Sequence, residues 1–239
     1  MDSHMQAIIL AGGFGTRLQP VVPHVPKPMA PMGEEPFLAA LLRYMHAQGV
    51  REVVFALHHR AAAIRDYFGH HFAGLEIRYS IETTPLGTGG AIKRALPLLR
   101  RDEPVFVTNG DSLVMLNYCD MLAHHNALGA PVSLASVQMP VTNRYSKLTI
   151  EDERITHYAL LGDAEAGAIS AGCYVMQPDV FMPYDMPDAF SIERDFLAVH
   201  TRELQPAVFE HVEYFIDIGI PDDYQRAQTE VPERLKVAA

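Results

Sequence analysis

A chain of 239 residues, 49% of them hydrophobic, has apolar material for one sizeable core and too much for general disorder. Its 19 basic and 29 acidic residues give a formal net charge of −10, which excludes a broad electrostatic footprint for nucleic acid or an anionic membrane. No apolar run approaches the roughly 18 residues of a membrane span, and Cys119 and Cys173 lack metal-type spacing, the usage of a reduced cytoplasmic chain.

Met1–His4 precede a second methionine, Met5, and read as a cloning remnant outside the fold. Gln6–Leu10 is a short apolar run that halts at Gly12-Gly13, the pattern of a buried strand entering a turn. Phe37, Leu38, Leu41, Leu42 and Met45 recur at helical spacing, with Gly49 as a stop. Strands are then predicted at Val53–Leu57, Glu76–Ser80 and Pro104–Thr108, alternating with helices at Ala61–Phe68 and Thr88–Leu96. That alternation predicts a parallel, doubly wound sheet. Pro131–Val137 reads as another core strand. Lys147–Ile150, Ile155–Tyr158 and Ala168–Met176 are short and turn-separated, as antiparallel ribbons laid beside the main sheet would be. Ser191 caps a predicted helix to Val199, His211–Ile216 is a last strand, and Asp222–Thr229 a closing helix. From Val231 the chain reads as a loose tail. Neither a repeat nor a linker divides the chain, so residues 5–232 form one domain and residues 233–239 lie beyond it.

Leu10-Ala11-Gly12-Gly13-Phe14-Gly15-Thr16-Arg17-Leu18 stands where the first strand ends. Its glycines let backbone amides turn toward an anion, and Arg17 adds a planar bidentate donor, although an ordinary glycine-rich turn fits the glycines alone equally well. Two better-known phosphate loops do not fit. A P-loop ends in Gly-Lys-Ser/Thr, whereas this one has Gly15-Thr16-Arg17, and the third glycine of a dinucleotide fingerprint is here Leu18. Downstream, Lys27 sits between Pro26 and Pro28, in a rigid extended segment that can fix a lysine over a phosphate.

The loop Leu10–Leu18 followed by Pro26-Lys27-Pro28 resembles the N-terminal signature of the sugar nucleotidyltransferase family, and the resemblance runs from Met5 to about Thr229. It implies a single-domain, Rossmann-like α/β fold, mainly parallel and flanked by helices, with a small antiparallel sugar-binding ribbon. It also implies transfer of a nucleoside monophosphate from a nucleoside triphosphate to a sugar 1-phosphate, with release of pyrophosphate. The triphosphate would meet Leu10, Ala11, Gly12, Gly13, Gly15 and Thr16, with Arg17 and Lys27 as the catalytic cations. A second loop, Glu82 to Ala91, looks like the family's nucleotide loop. There Pro85, Gly87 and Thr88 would contact the nucleotide, helix amides would face phosphate, and Glu82 would read the base. A carboxylate only accepts, which suits guanine's N1–H and amine, could also serve cytosine, and suits the uracil edge less well.

Asp111 follows a buried strand at the end where ligands bind in open α/β sheets, and Asp217 lies inside an apolar run, where a lone carboxylate needs a partner or a cation. Both resemble the family's metal-binding aspartates, implying Mg²⁺. By the same resemblance, Asn109, Gly110, Gly172 and Glu193 belong to the sugar site. One departure stands out: the Glu-Lys that family members carry ahead of the sugar-site strand is missing from His157–Gly162. Arg144, Lys147 and Arg154 are the nearby basic residues. The pairs His58-His59, His70-His71 and His124-His125 read as polar side chains facing solvent rather than metal ligands.

The compact length, the Pro85–Gly90 loop and the run Phe215–Pro221 are similar to the guanylyltransferases that act on D-glycero-α-D-manno-heptose 1-phosphate. That similarity implies GTP as donor and GDP-heptose as product, destined for surface polysaccharide, in a cytoplasmic monomer or homodimer. Uridylyl or thymidylyl transfer to a hexose or amino-sugar phosphate, and a catalytically silent sugar-nucleotide sensor, are the alternatives.

Overall fold

The computed structural model describes residues 4–237. The first apolar run forms β1 (Met5–Leu10), whose alternate side chains enter opposite cores: Ala7 and Ile9 face one, Ile8 the other. A small hairpin, β2 (Pro31–Met32) and β3 (Glu35–Pro36), leads into α1 (Phe37–Ala47), which buries Phe37, Leu38, Leu41, Leu42 and Met45. There follow β4 (Val50–Leu57), α2 (Ala61–Phe68), β5 (His71–Phe72), β6 (Leu75–Ile81), α3 (Gly87–Ala95) and β7 (Val105–Asn109). The strands β7, β1, β4 and β6 lie side by side and parallel, as the alternating pattern predicts.

Strand order reverses at β1: the chain moves outward from β1 to β4 and β6, then returns to place β7 on the other side. Open α/β sheets bind ligands at the carboxyl ends of the strands flanking such a reversal. Leu10 and Asn109 are register partners there, so the glycine loop and the Asn109–Asp111 corner leave the sheet together.

The second half differs from expectation in its connections. After β8 (Ser112–Met115) and α4 (Tyr118–Leu128) come β9 (Val132–Met139), β10 (Lys147–Glu151), β11 (Arg154–Ala159) and β12 (Gly167–Met176). Rather than lying beside the main sheet, β12 enters it, antiparallel to both β7 and β9, and β10–β11 extends its edge. A single ten-stranded sheet results. Short β13 (Ala207–Phe209), which the sequence does not announce, fills the gap between β9 and β11. Helix α4 is likewise unannounced, because its buried stripe of Tyr118, Met121 and His125 contains a histidine.

Ser191 does cap a helix, accepting from the Arg194 amide at 3.2 Å, but its first segment, Ile192–Leu197, is a π-helical turn before α5 (Ala198–Leu204). The last strand, β14 (Tyr214–Asp217), pairs with β8 in a separate ribbon. Helix α6 runs from Pro221 to Val237. The tail expected from Val231 is therefore helical as far as described: Val231 is fully buried, and the Arg234 guanidinium lies 5.1 Å from the centroid of the Tyr214 ring. Met1–Ser3 and residues 238–239 lie outside the described residues. Helices α1, α2, α4 and α6 cover one sheet face, and α3, the π turn and α5 the other. Among the described residues no helix is long and apolar enough to cross a membrane.

The paired histidines do not all face solvent. His125 is completely buried, with Nδ1 2.8 Å from Ser133 Oγ and Nε2 3.0 Å from Gln177 Nε2. The glutamine amide nitrogen only donates, so Nε2 accepts and the neutral ring donates from Nδ1. Burial, with the neighbouring His124, pushes this imidazole down to about 4. Between that value and the ordinary 6.5, the unfolded chain takes up a proton that the native state refuses, so stability falls as pH drops through that window. His125 should cost roughly 2 kcal/mol of stability between pH 7 and pH 5. Urea unfolding at the two pH values should show that difference shrinking by a similar amount in His125→Gln.

Candidate active site

Two cavities open at the carboxyl edge of the parallel strands. The larger, about 600 Å³, is lined by Leu10 to Arg17, by Glu82, Pro85, Gly87 and Thr88, and by Lys27, Asn109 and Asp111. The smaller, about 250 Å³, is lined by Ser170 to Gly172, Glu193, Asp217, Arg144 and Tyr145. Arg17, Lys27, Asn109 and Asp111 line both and form the shared wall.

The glycine loop closes against the proline-rich segment. Gly15 has φ +61°, and a Cβ there would lie 2.8 Å from Lys27 Cβ, so only glycine lets the loop pass the lysine. Lys27 begins a short 3₁₀ turn after Pro26. Its Nζ donates to Asp111 Oδ2 at 2.5 Å and to Asp217 Oδ1 at 3.1 Å. The β8–β14 ribbon brings these distant aspartates together: Asp217 is the register partner of Ser112, and the Ile218 amide donates to the Asp111 carbonyl at 3.0 Å.

One ammonium thus faces two carboxylates. Burial, and then the charge of Asp111, push the Asp217 carboxyl above its ordinary value, while Lys27 pulls it back. The cluster carries excess negative charge beside a cavity rich in backbone amides. Hard carboxylate oxygens at a phosphate-sized cavity suit Mg²⁺, which is commonly held by one or two carboxylates plus phosphate oxygens and water. No group of three or more His, Cys, Asp or Glu residues converges among the described residues, so Asp111 and Asp217 would be the protein's share of such a site. Arg17 is exposed on the shared wall and makes no hydrogen bond or ion pair among the described residues, which leaves its whole fork available.

Glu82 is buried at the end of β6, and one of its oxygens is committed: Oε2 accepts from the Leu86 amide at 2.9 Å. Oε1 has no partner among the described residues. The second loop also departs from expectation. The Gly89 and Gly90 amides, expected to face phosphate, donate to the Phe190 carbonyl at 2.9 and 3.3 Å. The Phe190 amide donates back to the Leu86 carbonyl, and Thr88 Oγ1 accepts from the Ile192 amide, both at 2.9 Å. Gly87 has φ +69°, and a Cβ there would lie 2.5 Å from the Phe190 oxygen. Part of the loop's glycine content therefore serves the docking of segment 188–192.

That docking sets Glu193. It sits in the π turn and accepts from Tyr174 Oη at 3.0 Å and Ser146 Oγ at 3.3 Å, at the floor of the smaller cavity. A solvated first-turn glutamate would make neither bond. Gly172 lies at the irregularity where β12 shifts register, against the Asn109 side chain. Gly110 lines neither cavity: its amide donates to the Leu10 carbonyl at 2.9 Å, and it packs on Ile9 and Ala11. Its part is to hold the β7 corner against β1. Residues unforeseen from sequence include His58 and Gly219 in the larger cavity and Ser112, Tyr145 and Ser146 in the smaller. Ser112 directly follows Asp111 and Gly219 lies two residues after Asp217, a signal of nearness in sequence.

Known proteins resemble this chain along nearly its whole length. The family model described as Nucleotidyl transferase matches residues 6–234. Over 227 residues the chain is 39% identical to D-glycero-α-D-manno-heptose 1-phosphate guanylyltransferase of Aneurinibacillus thermoaerophilus, covering 95% of this chain and 98% of that one. The protein of the same name from Campylobacter jejuni is 36% identical, with 92% and 97% covered. The crystal structure of HddC from Yersinia pseudotuberculosis complexed with GMP-PN matches with TM-score 0.82 at 34% identity, covering 95% of this chain and 99% of that one.

Two glycines separate cavity chemistry from architecture. Gly13 has open space around its Cβ position, so Gly13→Ala should hold its melting temperature within about 2 °C while the added methyl weakens nucleotide binding. Gly87→Ala should cost about 1–3 kcal/mol of stability through strain and displacement of Phe190. Thermal unfolding paired with nucleotide titration distinguishes the two.

Proposed function

Since the chain belongs to the nucleotidyl transferase family, we propose that it transfers guanylate from GTP to D-glycero-α-D-manno-heptose 1-phosphate, yielding GDP-heptose and pyrophosphate. The observation that carries this reading is the shared wall: a nucleotide-sized cavity and a polar one meet at Arg17, Lys27, Asn109 and Asp111. The similarity to two heptose 1-phosphate guanylyltransferases over nearly their full lengths supports the choice of substrates, and so does the acceptor-only Glu82.

In this reading GTP occupies the larger cavity. Its base lies toward Glu82, and its phosphates lie along the Gly12–Thr16 amides. The sugar lies over Glu193, whose oxygens hold sugar hydroxyls while Tyr174 and Ser146 fix the carboxylate. An oxygen of the sugar phosphate, already anionic near neutral pH, attacks the α-phosphorus. The new P–O bond forms as the α–β bridging bond breaks, and its electrons leave with pyrophosphate. No general base is needed. Catalysis comes from alignment across the shared wall and from cations beside the charge that develops. Arg17 pairs phosphate oxygens bidentately, and Lys27, held by Asp111 and Asp217, lies at the reacting centre. Mg²⁺ held by the same two carboxylates would neutralise phosphate oxygens. The enzyme works in the cytoplasm as a monomer or homodimer.

Pyrophosphate release, measured with GTP, UTP, dTTP and CTP against heptose, mannose and glucose 1-phosphates, should peak for GTP with the heptose. Turnover with UTP or dTTP but not GTP would overturn the guanylyl assignment. Asp111→Asn should lower kcat by at least a hundredfold with little change in melting temperature. Arg17→Lys should also lose activity, because a point charge cannot replace the fork.

A further inference from the structure

The connection from β11 to β12 offers no cation to the smaller cavity; it presents Leu160 instead. A sugar phosphate carries close to two negative charges near neutral pH and needs donors not already spent. Lys27 divides its ammonium between two aspartates, and Arg17 is shared with the nucleotide cavity. Of the three nearby basic residues, two are placed elsewhere. Lys147 pairs with Asp163 at 2.9 and 3.0 Å and does not line the cavity. Arg154 donates to the Gln205 and Leu128 carbonyls, both at 2.7 Å, tying β11 to α5 and α4.

Arg144 is the remaining one, and it does line the cavity. It lies in the β9–β10 connection, with its guanidinium 5.3 Å from the centroid of the Tyr145 ring, and that ring meets Phe215 edge-on at 5.8 Å. Its Nη2 donates to Asp223 Oδ2 at 2.9 Å and stands 4.0 Å from Asp217 Oδ2. Its Nη1 and Nε make no hydrogen bond among the described residues. The guanidinium is therefore anchored on one side, stacked on an aromatic ring, and left with unspent donors next to the carboxylate that touches Lys27. We propose that Arg144 binds the phosphate of the acceptor sugar. The assignment rests on the transferase reading above, and it gives the acceptor a planar fork where a lysine would give a point charge.

Direct titration tests it on the full chain, saturated with the non-reacting α,β-methylene analogue of GTP and Mg²⁺. The probes are heptose 1-phosphate and the free heptose, the latter measured by competition. Arg144→Ala should weaken the sugar phosphate about ten- to a hundredfold while leaving the free sugar and the GTP analogue within twofold. Asp223→Asn removes the anchoring ion pair but keeps the guanidinium, so a clear preference for the phosphate over the free sugar should persist. In turnover, Arg144→Ala should raise KM for the sugar phosphate and leave KM for GTP unchanged. The proposal is overturned if Arg144→Ala weakens both sugar ligands equally, if Asp223→Asn erases the phosphate preference as fully as Arg144→Ala does, or if wild type shows no such preference. Pyrophosphate release by wild type tests the transferase reading separately: intact binding preference without turnover would sink that reading and still credit Arg144.

Discussion

The ammonium of Lys27 ties together three segments that the sequence keeps far apart: the proline-rich loop, the corner after β7, and the end of β14. Without it, Asp111 and Asp217 would face one another as partly buried like charges, and the β8–β14 ribbon would hold its two carboxylates against their repulsion. Because the glycine loop passes directly over the same lysine at Gly15, the position of the loop depends on the cluster as well. The two cavities adjoin because their common wall is built from this knot.

A second dependence runs on the other side of the site. Segment 188–192 is bonded to the Leu86–Gly90 turn through both its amides and its carbonyl, and it continues into the π turn that carries Glu193. A π turn offsets the helical register by one residue, and such turns occur often at functional positions. Here it hands Glu193 to Tyr174 and Ser146. The Leu86–Gly90 turn beside the larger cavity and Glu193 of the smaller thus belong to one hydrogen-bonded unit, and a change in the turn would be felt at Glu193. Two α3 amides, those of Gly89 and Gly90, are spent on this joint, while Gly87 and Thr88 still line the larger cavity.

Much of the first half of the chain was legible because its signals are local. Apolar runs gave β1, β4 and β7, alternation gave β6, and helical spacing gave α1 to α3. What escaped was non-local. The three residues of β13 acquire strand geometry only from their neighbours β9 and β11. The stripe of α4 passes through His125, which looks polar in sequence but is buried against Ser133 and Gln177. Nothing in the sequence places β12 between β7 and β9, since antiparallel insertion depends on which edge is open once the parallel half has formed.

By itself, then, the sequence determined the parallel half of the sheet, the glycine loop with Arg17 and Lys27, and the residue types suited to phosphate and magnesium, since these depend on spacing and chemistry within short segments. Tertiary structure alone decided which of those groups meet. It set Asp111 and Asp217 on one ammonium through a ribbon whose strands are about a hundred residues apart, and withdrew Gly110 from the site by packing it on Ile9 and Ala11. It also put Arg144, rather than Lys147 or Arg154, on the wall of the smaller cavity, because strand register and loop path, rather than nearness in sequence, decide which side chain reaches a cavity.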